Sequence, residues 1–280
     1  MFPANCVSDS ANASRILHEE AQANRMIAQA EDILWTARKP AAQVAILFHR
    51  SSEMWDAWHT DLVGGMCMCC CVTSMVARYI DYSAEAYGLF LALNTDSNIP
   101  VDFIDEDAME EPETLAQFKL IFIAQPDIPT RGMKGLLRWA ARGGTLVSVS
   151  NAGGGDEYNT PSSLLSDATG VSETARKRMI FASDDTLPVA AHGTVAQSLP
   201  FTAFGVAASL NVSQAARVQT LARYADGRTA ATRSSVGSSG GAIIRFGWLP
   251  GVSYWFSHPP KTVGNRPRNG SGPPGAVKRP

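Results

Sequence analysis

FKLIFIAQPDIP (118–129) and LLRWAARGGTLVSVS (136–150) decide the fold, and they continue a series begun by AQVAILF (42–48) and NIPVDFID (98–105). Three of these four strings hold a short, unbroken apolar run, followed by a polar break and then helix-like spacing. Strands buried on both faces and alternating with covering helices are written this way. The series predicts an α/β protein with an open, mostly parallel sheet. Such sheets carry their chemistry at the carboxyl ends of the strands, so a site is sought just after Phe48, Ile104, Ala124 and Val149.

Working outward from the series, residues 4–39 contain neither Gly nor Pro, and Ala23, Ile27, Ala30 and Leu34 recur at helical spacing. A long helix is expected from about Ser10 to Arg38, ended by Pro40. Val44–Phe48 is the first expected strand. A helix over 83–94 follows, with Ser83 as N-cap and a stripe of Ala86, Leu89, Phe90 and Leu93. Strands are expected at Val101–Ile104, Leu120–Ala124 and Leu146–Val149. Between the last two, Thr130 caps a helix whose stripe is Met133, Leu136, Leu137 and Ala140, and Gly143 supplies its left-handed stop. The result is a β-α-β-β-α-β run.

Beyond Ser150 the composition changes. NAGGGDEYNTP reads as a loop, 162–170 as a short helix, and 172–216 is too mixed to assign. RVQTLARY (217–224), the turn at Ala225–Arg228, TAATR (229–233) and GAIIRFGWLPG (241–251) read as antiparallel strands with a hairpin, extending the sheet edge. From His258 the composition is that of a disordered tail. The chain therefore divides into an N-terminal helix (1–39), an α/β domain (40–257) and a tail (258–280).

A net charge of −2 over 280 residues, 18% of them charged, gives no electrostatic reason to expect nucleic acid or an anionic membrane as a partner. The first thirty residues hold no apolar signal core and no stretch is apolar enough to span a bilayer, so a cytoplasmic location is the default expectation. The sulfur-rich HTDLVGGMCMCCCVTSMVAR (59–78) fits no α/β connection, and 61–78 reads as an insertion. Its Cys67, Cys69, Cys70 and Cys71 do not form a disulfide framework. Three readings stay open: a soft-metal site, an acylated loop, or a peptide without a role. Adjacent cysteines cannot all face one tetrahedral ion, which weighs against the metal, and no cofactor is expected.

ARKPAAQVAILFHRSSEMW (37–55), NIPVDFIDED (98–107), FKLIFIAQPDIP, LLRWAARGGTLVSVSNAGGGDEYN (136–159) and GGAIIRFGWLPGVSYW (240–255) resemble, in order and spacing, the β-galactosidase trimerisation domain of family-42 glycoside hydrolases. That domain is flavodoxin-like and similar to the class I glutamine amidotransferase fold. The resemblance covers about residues 25–257. It implies a non-catalytic oligomerisation or accessory domain in carbohydrate metabolism, with a homo-oligomer or a glycoside hydrolase barrel as partner.

In amidotransferases of this fold, the strand matching TLVSVS ends in a cysteine nucleophile at a sharp elbow. Here the resemblance puts Ser150 at that place. Ser150 as the nucleophile of a small hydrolase or amidotransferase-like enzyme is the alternative reading, with His192 or His258 as base, although neither has a catalytic context. The family's paired catalytic carboxylates belong to a (β/α)8 barrel that this chain lacks. Asp102, Asp105, Glu106, Asp107, Glu110 and Glu111 read as a solvated strand-to-helix loop with helix N-terminal charge. Trp55 and Trp58, after the first strand, are the expected interface anchors. They are also the platform of a third reading, a sugar-binding module.

Overall fold

The computed structural model describes residues 13–38, 40–48, 50–52, 55, 82, 84–178, 187–191, 201–203 and 206–257. The expected long first helix is two helices, α1 (Ala13–Gln29) and α2 (Glu31–Thr36), broken at Ala30, whose φ of −98° and ψ of 3° leave the α region. β1 (Val44–Leu47) follows. α3 covers 84–90 and widens into a π-helical turn at Leu91–Asp96. Then come β2 (Val101–Ile104), a 3₁₀ turn at Asp107–Glu110, α4 (Pro112–Ala116), β3 (Leu120–Ile123), α5 (Thr130–Ala141) and β4 (Thr145–Ser148).

These four strands run parallel in the order β2-β1-β3-β4. Their unbroken apolar runs are explained by burial on both faces. Ala45, Leu47, Ile121, Ile123 and Leu146 join one cluster with Met133, Leu136 and Trp139 of α5. The residues between them, Ile46, Phe122 and Val147, join another with Leu89, Phe90 and Leu93 of the α3 segment. Each fully buried aliphatic side chain here contributes roughly 1.5–3 kcal/mol over exposure. The cap of α5 differs from expectation: Thr130 is its first residue, and the Thr130 amide donates to Glu157 Oε2 at 2.7 Å.

The later chain carries α6 (Leu164–Thr169), β5 (Val171–Arg178), β6 (Leu187–Ala191), β7 (Phe201–Ala203), β8 (Val206–Val212), β9 (Val218–Tyr224), β10 (Thr229–Val236), β11 (Gly241–Phe246) and α7 (Pro250–Ser257). The segment too mixed to assign thus holds four strands. The expected hairpin is present as antiparallel β9 and β10, but β11 does more than extend an edge. It lies parallel to β4 on one side and antiparallel to β10 on the other, giving the nine-stranded order β2-β1-β3-β4-β11-β10-β9-β6-β7. β5 and β8 form a separate antiparallel ribbon.

α7 was not foreseen. It begins with Pro at a position where the missing N–H goes unneeded, and the buried Glu85 of α3 accepts from the Gly251 amide at 2.9 Å and the Val252 amide at 2.8 Å. The two helices touch backbone to backbone: a Cβ on Gly88 would stand 2.1 Å from the Gly251 carbonyl oxygen. Among the described residues no helix is long and apolar enough to cross a membrane.

Candidate functional site at the carboxyl ends of the parallel strands

The strand order reverses direction at β1, which pairs with β2 on one side and β3 on the other, so the loops after β1 and β3 flank the crevice where such sheets bind ligands. Ser52, after β1, is fully buried and joins these loops: its Oγ lies 2.8 Å from the donating Asp127 amide and donates to the Asp127 carbonyl at 3.0 Å. The loop after β4 closes the next gap. Gly153 N donates to Gln125 O, Gly155 N to Pro126 O and Ile128 N to Gly155 O, so the glycine run is stitched to the β3 loop. A Cβ on Gly155 would lie 2.3 Å from Asp127 Oδ1, which explains a glycine there.

Beside that crevice, over the ends of β3, β4 and β11, opens a cleft of about 510 Å³, lined among others by Asp127, Asn151, Gly153, Ser162, Glu173 and Arg245. Its floor is ionic. Arg245 near the end of β11 and Glu173 of β5 pair at 3.1 Å, with side chains only 6% and 7% exposed. Glu173 also accepts the Asn151 amide, 3.0 Å from each carboxylate oxygen, and the Ser150 hydroxyl at 3.2 Å. Arg245 Nη1 donates to the Val171 carbonyl. Burying an unpaired guanidinium would cost several kcal/mol, so this dense pairing is what allows a charge inside the sheet.

Ser150 is fully buried and its hydroxyl points to Glu173. The turn after β4 is made one residue later, at Asn151, with φ of 66°. Asn tolerates that left-handed geometry better than most residues, and it is Asn151 that faces the cleft. His192 and His258, the bases considered for Ser150, lie outside the described residues, as do Trp58, Cys67, Cys69, Cys70, Cys71, the rest of the 61–78 insertion and the tail from 258.

Trp55 is half-buried, and its Nε1 donates to the Glu157 carbonyl at 2.9 Å. The Thr130 amide in turn holds the Glu157 carboxyl below the usual range. The acidic loop after β2 is tied up locally: Asp105 caps the 3₁₀ turn through Ala108 N, Glu106 accepts from Ser51 N, and Asp107 pairs with Arg50. Among the described residues no cluster of His, Cys, Asp or Glu could hold a metal ion. Glu173 and Arg245 escaped the sequence reading. Arg245 had a signal, being a lone charge inside the apolar run AIIRF; Glu173, in the polar SETARKR, had none.

No family model matches the sequence, and no curated protein does. Solved structures match at the level of fold. Gan42B, a GH42 β-galactosidase from G. stearothermophilus, superposes with a TM-score of 0.58 at 18% identity over 89% of this chain and 33% of its own. The β-galactosidase from Bacillus circulans sp. alkalophilus gives 0.60 at 16% identity over 87% of this chain and 35% of its own. That from Rahnella sp. R3 gives 0.57 at 16%, over 84% and 34%. The chain therefore shares the fold of a region of GH42 β-galactosidases and spans about a third of their length.

Proposed function

We propose that this chain is a non-catalytic association domain related to the trimerisation domain of GH42 β-galactosidases, acting beside copies of itself or a glycoside hydrolase barrel. The β2-β1-β3-β4-β11 order of the parallel strands is the flavodoxin-like order, which supports the amidotransferase-like classification. At the elbow of that fold this chain presents an amide side chain, Asn151, beside a buried serine already bonded to a carboxylate. That carboxylate is held by Arg245 and the Asn151 amide rather than free to take a proton, which weighs against the hydrolase reading.

The observation that carries association is the α1–α2 arm. Met26, Ile33 and Trp35 are 71%, 74% and 87% exposed, and Ile27 and Leu34 are exposed beside them. Five large apolar side chains left in water on one short arm mark an interaction surface. Trp35 is the natural anchor, because Trp carries interface energy out of proportion to its frequency. Trp55, by contrast, directs its N–H inward. Sedimentation of the purified chain tests the reading: an oligomer is expected, converted to monomer by Ile33→Ser with Trp35→Ser. A wild type that remains monomeric at high concentration and does not bind a GH42 barrel would overturn it.

A further inference from the structure

The geometry points to a carboxylate-binding site on the floor of the cleft, whose resident occupant is the protein's own Glu173. Three kinds of donor converge there from the main sheet: the Asn151 amide at 3.0 Å, the Ser150 hydroxyl at 3.2 Å and Arg245 Nη2 at 3.1 Å. A main-chain amide, a hydroxyl and a guanidinium are what receptors of carboxylates use. The amide and the hydroxyl sit in the turn after β4, whose left-handed residue is Asn151, and the guanidinium comes from β11, so the donors are held by two neighbouring elements of the sheet.

The acceptor comes from elsewhere. Glu173 belongs to β5, which pairs with β8 in a ribbon separate from the main sheet. Just past Glu173 the ribbon loses register, between Thr174 and Lys177, and Ala175 takes a φ of 49°. Glu173 itself is still in register with Leu210, so its carboxylate reaches the donors from a regular strand position just before the bulge. Because Glu173 and Arg245 both line the open cleft, a small carboxylate entering it meets the same guanidinium. Glu173 is then a tethered competitor: its high effective concentration keeps the site filled until a carboxylate-bearing ligand with further contacts to the cleft displaces it.

Chemical rescue tests this. Sodium formate and acetate are titrated against sodium chloride at matched ionic strength into wild type, Glu173→Ala and Glu173→Ala with Arg245→Met, while melting temperature and Asn151 amide exchange are followed. Formate is expected to raise the melting temperature of Glu173→Ala saturably and to slow Asn151 exchange about tenfold, leaving wild type and the double variant unmoved. If Glu173→Ala folds poorly, its refolding yield in formate against chloride gives the same readout with the same sign. An equal response of wild type and Glu173→Ala, or no difference between formate and chloride, overturns the proposal, since the emptied donors would then show no preference for a carboxylate.

Discussion

The two ends of the described chain carry helices of similar apolar character and opposite fate. α7 reads PGVSYWFS and buries Gly251, Val252 and Ser253, with Gly251 against α3; α2 reads EDILWT and buries nothing. What separates them is whether the rest of the molecule has prepared a place. α7 has one: Glu85 takes up its first free amides, Gly88 lets the backbones touch, and Trp255 packs on Tyr87 with ring centroids 5.2 Å apart. The arm has no such preparation among the described residues. Apolar composition says only that a helix wants cover; the matching groups say from where.

That contrast can be broken at the α3–α7 contact. Gly88→Ala puts a Cβ against a backbone carbonyl that cannot step aside, and a loss of about 3 kcal/mol or more in urea unfolding is expected. Glu85 gives a second handle. Burial pushes its carboxyl up to about 8 from 4.5, against the pull of the two amides. The folded state holds this proton more tightly than the unfolded chain, so the contribution is complete below about pH 4.5 and is lost as the pH rises through about 8. Glu85→Gln removes the ionisable group and should flatten that decline in denaturant midpoints across a pH series, while its Nε2 cannot accept, so one α7 amide goes unpaired and the variant starts below wild type by about 1–3 kcal/mol at low pH.

The two tryptophans give smaller effects. Trp55→Phe keeps the ring's bulk and loses the bond to Glu157, which should lower stability by about 1 kcal/mol in thermal melts. Trp35→Ser should change the unfolding free energy of the monomer by less than about 0.5 kcal/mol, because that side chain is already in water. A large loss there would mean the arm is covered in the folded monomer and that its contrast with α7 is false.

The parallel half was legible in the sequence because its signals are local: AILF, IFI and TLV announce buried strands, and the stripe of α5 announces its inward face. Positions that depend on distant partners were not. The cap of α7 comes from Glu85, 166 residues before Gly251, and nothing near Pro250 encodes it beyond the proline. The cleft shows the same limit. Its loop and glycines could be placed from composition, whereas Glu173 became part of it only through a ribbon in a segment with no clear periodicity. Ser150 could be placed at the end of β4 from its apolar run, whereas the left-handed turn at Asn151 depends on the glycine loop that follows it.

The position of β11 has a consequence for how the chain is made. It is the last strand among the described residues, yet it lies between β4 and β10 in the interior of the sheet. As the chain emerges during synthesis, β4 keeps an open edge of unpaired amides and carbonyls until Gly241–Phe246 arrives, nearly a hundred residues later. Closing the sheet then joins segments far apart in sequence, a slow kind of step. A chain interrupted before Gly241 would hold a folded helix and strand layer with an apolar edge exposed, the form in which α/β proteins meet chaperones or aggregate.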